Sequence, residues 1–173
     1  MQNNHTDPAL TGKEMFQREV AIQTANSFAV YNNCHLGAVD RDFGEVWLDI
    51  VPDSFNFQGS VHGGAYFTLA DMCAGIVSRT DGRLYVTQQA NVQYVRAARH
   101  GRLTARGNAL HRGSTSCLIE VRITDEADRL VFIGTFLFHC VSERIGIAGQ
   151  ESIDKEQESI DEEQECIDDK EKE

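Results

Sequence analysis

No stretch of the chain approaches the roughly 20 consecutive apolar residues that a membrane-crossing helix needs, so a soluble protein with no membrane partner is expected. The start of the chain, Met1 to Leu10, is polar and has no apolar segment leading to a small-residue cleavage site. Nothing there marks it for secretion, and a cytoplasmic location is the expectation. The five cysteines (Cys34, Cys73, Cys117, Cys140 and Cys166) are odd in number and scattered, without a Cys-x-x-Cys pair. They read as reduced thiols, not as a zinc site or a disulfide framework. No two of the six histidines lie three or four residues apart, so no helix turn presents a local metal pair. No metal is expected.

At 173 residues and 41% hydrophobic content the chain suits one globular domain with a single core. Its net charge of −11 is unevenly placed. Residues 151–173 hold 12 acids against 3 lysines, whereas residues 1–150 hold 15 acids against 13 bases. The globular part is nearly neutral. The tail repeats every seven residues (Glu151-Ser-Ile-Asp-Lys-Glu-Gln and its two successors), but each repeat offers one isoleucine where a coiled-coil seam needs two apolar positions. With its like charges, the tail is expected to be disordered. The expected layout is a flexible start over 1–10, a domain over 11–145 and an acidic heptad tail over 146–173.

Residues 11–33 read as one or two short helices. Thr11 and Glu14 have capping-box spacing, and Met15, Phe16, Val20, Ile22, Ala25 and Phe28 recur at roughly helical intervals. From Leu36 to Val51, the alternation Val46, Leu48, Ile50 predicts a strand with one buried face. Residues 62–79 predict the central helix: Leu69, Ala70, Cys73, Ala74, Ile76 and Val77 make it apolar round much of its surface, and its small residues permit close approach of a backbone or sheet. Four strands follow, near 84–96, 101–112, 115–124 and 129–141, with turns at Gly101, Gly113 and Asp125–Asp128. The last is apolar enough to be central. The pattern is α+β: helix, strand, buried helix, antiparallel meander.

The segment from Asn56 to Asp71 carries the chemistry. His62-Gly63-Gly64 opens the central helix, and glycines there either let a ligand reach unpaired backbone N–H groups, whose partial positive charge suits an anion or oxyanion, or simply ease packing. His62 either orients a substrate or closes the turn. Asp71 lies well inside the helix among Leu69, Ala70, Cys73 and Ala74, where an unpaired buried carboxylate is costly. Either a cleft needs it, or it lies on a solvated stripe with Thr68 and Ser78. Gly63 and Asp71 are eight residues apart, about 12 Å along one helix. If the Gly63 N–H holds a carbonyl oxygen while Asp71 acts on its carbon, the two come from neighbouring chains, which predicts a homodimer with symmetry-related sites.

Between residues 82 and 119 there is no acid, yet there are six arginines: Arg83, Arg96, Arg99, Arg102, Arg106 and Arg112. They either grip phosphates through their forked donors or line the wet faces of strands. The near-neutral body and the lack of aromatic-basic interleaving disfavour nucleic acid.

At these residues the sequence resembles the hotdog-fold acyl-CoA thioesterases, specifically the phenylacetic-acid-degradation (PaaI-like) group. The match runs from about Val20 to Val141, and its core is Asn56, Gly59, His62-Gly63-Gly64 and Leu69-Ala70-Asp71. The resemblance implies a hotdog fold, an antiparallel sheet wrapped around a central helix. It implies hydrolysis of an aryl- or medium-chain acyl-CoA without a cofactor, by a dimer or tetramer of such subunits. It also implies roles: Asp71 as nucleophile or general base, Gly63 as the N–H donor to the thioester carbonyl, Asn56 and His62 as residues positioning the thioester or water. Thr87 falls where some members hold the water with a serine. Gly64 would belong to the substrate-binding helix start, and His111-Arg112-Gly113-Ser114 resembles a turn contacting the nucleotide end of coenzyme A. After Val95 the chain has Arg96-Ala97 where that group often has Arg-Pro. Two rivals remain: a hotdog hydratase or dehydratase, whose histidine-carboxylate motif is missing here, and a non-catalytic acyl-CoA sensor or scaffold, against which Asp71 argues.

Overall fold

The computed structural model describes residues 11–142. The polar start and the acidic heptad tail lie outside the described residues. The chain runs α1 (Gly12–Ala25), α2 (Ser27–Tyr31), β1 (Cys34–Asp40), β2 (Phe43–Asp49), a 3-10 turn (Pro52–Ser54), α3 (Gly63–Ser78), a second 3-10 turn (Arg79–Asp81), β3 (Leu84–Tyr94), β4 (Arg102–Arg112), β5 (Ser116–Thr124) and β6 (Leu130–Ser142). The class is α+β, as expected. No helix among the described residues is long and apolar enough to cross a membrane.

The capping box forms as spaced: the Thr11 N–H donates to Glu14 at 2.8 Å, and the Glu14 N–H donates to Thr11 Oγ1 at 3.4 Å. The buried face of α1 differs from the expected one. Met15 and Glu19 are buried, while Phe16 and Val20 keep 36% and 40% of their surface exposed. A carboxylate can take that inward place because Arg79 meets Glu19 at 2.8 Å, tying α1 to the end of α3.

The single strand expected over Leu36–Val51 is a hairpin, β1 and β2 joined at Arg41-Asp42. Asp42 takes the turn at φ 60°, a left-handed conformation that aspartate visits more readily than most residues. No glycine announces it.

The sheet has six strands in the order β1-β2-β4-β5-β6-β3, with antiparallel neighbours throughout. The expected meander holds for β4, β5 and β6 but not for β3. The near edge of β4 is taken by β2, with Val46 opposite Ala105, so β3 pairs at the far side, with Thr87 opposite Phe138. This makes β6 central, as its apolar sequence predicted, and leaves β3 an edge strand.

Helix α3 lies against the inner face of the sheet. Leu69, Cys73, Ile76 and Val77 are fully buried against inward residues such as Leu103, Ile119, Val121 and Phe136, each large side chain contributing about 1.5–3 kcal/mol of apolar transfer free energy. Two glycines of the sheet permit the close approach. Gly44 and Gly107 are directly paired across β2 and β4. A methyl on Gly44 would sit 3.1 Å from the Val77 side chain, and one on Gly107 would sit 3.0 Å from Cys73 Sγ. This is the hotdog arrangement, a sheet packed around one central helix.

Candidate active site

The segment entering α3 is held by its own polar groups. Asn56 Oδ1 accepts from the N–H groups of Gln58 (2.9 Å) and Ser60 (3.2 Å), and its Nδ2 donates to Ser60 Oγ at 3.1 Å. Asn56 therefore shapes the loop that delivers His62 to the helix. His62 is extended and caps α3: its Nδ1 accepts the Gly64 N–H at 2.9 Å, and its backbone N–H donates to the Ser54 carbonyl at 2.8 Å. Of the two readings open for His62, closing the turn is the one its contacts show.

That cap separates the two glycines. The Gly64 N–H is taken by His62, and a methyl on Gly64 would lie 3.0 Å from the same Nδ1. The Gly63 N–H has no acceptor among the described residues, which leaves it as the donor at the positive end of the helix. The Tyr94 ring stands 3.4 Å from where a Gly63 methyl would be. Beside this helix start, α2 and the 3-10 turn at Pro52–Ser54 enclose a cleft of about 400 Å³, whose walls include Tyr31, Val51, Phe55, His62, Gly64 and Thr68.

Asp71 lies two turns further along α3 and is half-buried. Burial pushes its carboxyl above the ordinary value, while a hydrogen bond from Thr87 and the positive charge of Arg79 pull part of the way back. The Thr87 hydroxyl donates to Asp71 Oδ1 at 3.0 Å. Edge strand β3 thus supplies a hydrogen-bond partner for the carboxylate, and the structure brings these two expected residues together. An oriented carboxylate with a raised pKa can take a proton from water or attack an acyl carbon.

The turn at His111-Arg112-Gly113-Ser114 is elsewhere, at the C-terminal end of α3. Arg112 donates to the Val77 and Ser78 carbonyls, both at 2.8 Å, and pairs with Asp42 at 2.7 Å and Asp81 at 3.0 Å. It closes the negative end of the helix with its donors engaged, so it is not placed as a phosphate ligand. The Gly113 and Ser114 carbonyls accept from Arg83 at 3.0 and 2.6 Å. His111 is exposed. Helix geometry puts this turn about 20 Å or more from Gly63 of the same chain.

Three of the other arginines are also ion-paired. Arg83 pairs with Asp81, Arg102 with Asp49 and Arg106 with Glu45, the last two directly across strands. Four of the six arginines in the window without acids are thus paired with carboxylates from outside it, Asp42, Glu45, Asp49 and Asp81. Sequence reasoning missed Glu19 and Tyr94 beside this helix, because no local pattern marks a partner brought in from another element. Among the described residues no group of three or more histidines, cysteines or acids is placed to hold a metal.

Comparison with known proteins yields a consistent set. The family model described as the thioesterase superfamily matches residues 58–132. A Mycobacterium tuberculosis protein named as an esterase is 32% identical over 93 residues, 50% of this chain and 66% of that protein's length. The acyl-coenzyme A thioesterase PaaI of Escherichia coli is 25% identical over 130 residues, 70% of this chain and 90% of that protein. Its solved structure superposes with a TM-score of 0.74 at 19% identity, covering 77% of this chain and 97% of that one. This shows the shared fold. A thioesterase protein of Streptococcus pneumoniae, solved with coenzyme A, has a TM-score of 0.62 at 32% identity, covering 65% of this chain and 91% of that one.

Proposed function

Because the chain belongs to the thioesterase superfamily, we propose that it hydrolyses acyl-coenzyme A thioesters to the free acid and coenzyme A. The observation that carries the reading is the half-buried carboxylate of Asp71, held by Thr87 on the helix whose first N–H, at Gly63, is unpaired. The relatives supply the substrate class: PaaI is named an acyl-coenzyme A thioesterase, and the streptococcal structure contains coenzyme A.

The Gly63 N–H holds the thioester carbonyl oxygen and stabilises the negative charge that grows there. Acting as base, Asp71 takes a proton from water as the water oxygen bonds to the carbonyl carbon. When the tetrahedral intermediate collapses, the carbon–sulfur bond breaks and coenzyme A leaves as the thiolate, which takes up the proton. Acting instead as nucleophile, Asp71 bonds to the acyl carbon as the carbon–sulfur bond breaks and coenzyme A leaves as the thiolate, to be protonated by water; water then cleaves the acyl-aspartyl anhydride, releasing the acid and restoring the carboxylate. Thr87 orients the carboxylate in either course.

One helix cannot bring both groups to one carbonyl, because they lie about 12 Å apart along its axis. The site is therefore shared, with Gly63 from one subunit and Asp71 and Thr87 from its partner. The unpaired edge of β3 supports association through that strand, since it presents backbone groups together with Val86 and Tyr94, 50% and 54% exposed. The cleft at α2 and the exposed Phe67 give apolar walls suited to an aryl or medium-chain acyl group.

The test is hydrolysis of a panel of aryl- and fatty-acyl-CoA esters, following released thiol, by wild type and Asp71→Asn. Turnover lost in the variant supports the mechanism. Equal turnover in both sinks it, and tight binding without turnover in wild type identifies a sensor instead.

A further inference from the structure

Two arginines meet one carboxylate where α1 is tied to the end of α3. Glu19, fully buried on α1, accepts from Arg79 Nη2 at 2.8 Å and from Arg79 Nε at 3.4 Å, and Arg18 Nη2 reaches it at 3.4 Å. Arg18 Nη2 also donates to the Arg79 carbonyl at 2.6 Å. Among the described residues neither arginine has a second carboxylate within ion-pair distance. Glu19 accounts for one of the two positive charges, and one is left over.

Asp71, Gly75 and Arg79 follow one another at four-residue spacing, so each adjoins the next along one side of α3. Helical side chains lean toward the start of their helix, and the Arg79 guanidinium does so: a methyl on Gly75 would sit 3.3 Å from its Nη1. Glycine weakens a helix interior relative to alanine, and here the buried Gly75 leaves the guanidinium room to lie over the helix one turn from Asp71. With Nε and Nη2 held by Glu19, Nη1 has no hydrogen-bond acceptor among the described residues. It is the end of the fork that reaches back over Gly75.

Asp71 has no ion-pair partner of its own among the described residues. The charged groups about this side of the helix are Arg79 at its end and, beyond it, Arg18 and Glu19 on α1, while β3 contributes the uncharged Thr87. The positive charge of Arg79 opposes the burial that disfavours the ionised carboxylate. We propose that Arg79, clamped by Glu19 over Gly75, is a positioning residue that acts through Asp71, supplying the positive charge that keeps the carboxylate ionised for hydrolysis. This rests on the reading of the chain as an acyl-CoA hydrolase in which Asp71 is base or nucleophile. Through Glu19, α1 belongs to the support of the site.

The test follows Asp71 directly. With the full chain labelled at the aspartate carboxyl carbon, the NMR signal lost in Asp71→Asn identifies the residue. Its titration is compared with the acidic limb of the kcat/KM profile against pH in wild type, Arg79→Gln and Arg79→Lys. Because Arg79→Gln strips the buried Glu19 of its nearer partner, the same step is measured again in a Glu19→Gln background, which leaves no carboxylate buried there. In both backgrounds Arg79→Gln is expected to move titration and limb together to higher pH, lowering kcat/KM about three- to tenfold on the acidic limb and by less than about threefold on the plateau. Arg79→Lys keeps the charge and should follow wild type in both measurements. A titration unmoved by Arg79→Gln, a limb that stays while the titration moves, or an equal shift in Arg79→Lys overturns the proposal. A titration that moves in a protein cleaving no thioester sustains the hold of Arg79 on Asp71 and refutes the hydrolase reading alone.

Discussion

Thr87 Oγ1 donates a 3.0 Å hydrogen bond to Asp71 Oδ1, joining the edge strand of the sheet to the middle of the central helix. The bond favours the ionised carboxylate against a burial that disfavours it. Replacing Thr87 by valine removes the donor and keeps the shape. Thr87→Val is expected to lower kcat/KM by about ten- to a hundredfold, the range for losing a hydrogen bond to a charged group. It should also move the acidic limb of the pH–rate profile to higher pH, and Thr87→Ser should restore both. A profile unmoved by valine would show that Thr87 does not act through Asp71.

The same burial has a consequence for stability. A carboxyl whose folded-state pKa lies above its unfolded value holds its proton more tightly when folded, so its contribution is full below the unfolded value and is lost as pH rises through the raised one. At neutral pH the ionised Asp71 therefore weighs against folding. Asp71→Asn is expected to raise the melting temperature at pH 7 while abolishing turnover, and its advantage should shrink as the pH falls through the raised value towards the ordinary aspartate value of 3.8. A variant less stable than wild type at pH 7 would contradict this reading of the site.

The proposed sharing of the site between subunits makes a quantitative claim about mixtures. Gly63→Ala is expected to keep stability within about 1 kcal/mol, because its methyl meets the Tyr94 ring at an ordinary 3.4 Å and alanine suits a helix. Crowding the donor should cost at least about tenfold in kcat/KM. When Gly63→Ala and Asp71→Asn chains are unfolded together and reassembled, half of the dimers are mixed and one site in each is intact. Activity should return to about a quarter of wild type. No recovery would place both groups of each site on one chain.

Arg112 should matter to folding. Removing it leaves Asp81 and the last carbonyls of α3 without their partner. Arg112→Leu is expected to lower unfolding free energy by about 3 kcal/mol or more, measured by urea titration. Burial pushes the Asp81 carboxyl up, yet the Arg83 backbone N–H, the Tyr85 hydroxyl and the guanidinium groups of Arg83 and Arg112 leave it below its ordinary value. Its stabilisation is present above that ordinary value and is lost as pH falls through the lowered one. Wild type should therefore lose stability more steeply on acidification than Arg112→Leu.

Much of this was legible along the chain. The α3 boundaries, the capping box of α1 and the strands from Leu84 onward follow from local periodicity and turn residues. The Asp71 motif was legible because a carboxylate inside an apolar helix conflicts with its surroundings. Three features were not. The Arg41-Asp42 turn lacks a glycine, so β1 and β2 read as one strand. The pairing of β3 with β6 depends on which edges other strands have taken, which no local window contains. The partners of Arg102 and Arg106 are cross-strand neighbours on β2, visible only once the register is known. His62 was undecided for a different reason: an imidazole can cap a helix or meet a substrate, and only the position of the Gly64 N–H distinguishes them.

The place of β3 at the far edge of the sheet also bears on how the protein is made. Leaving the ribosome in chain order, β3 is complete at Tyr94, but its partner β6 begins only at Leu130. Through that interval the strand carrying Thr87 has no ladder to join, while β1, β2 and β4 can already pair. Such late, non-local pairing slows folding and leaves a strand open to wrong partners. A nascent chain halted before Leu130 would contain Asp71, Thr87 and Gly63 yet could not set Thr87 on the carboxylate, so that contact awaits the last strand of the sheet.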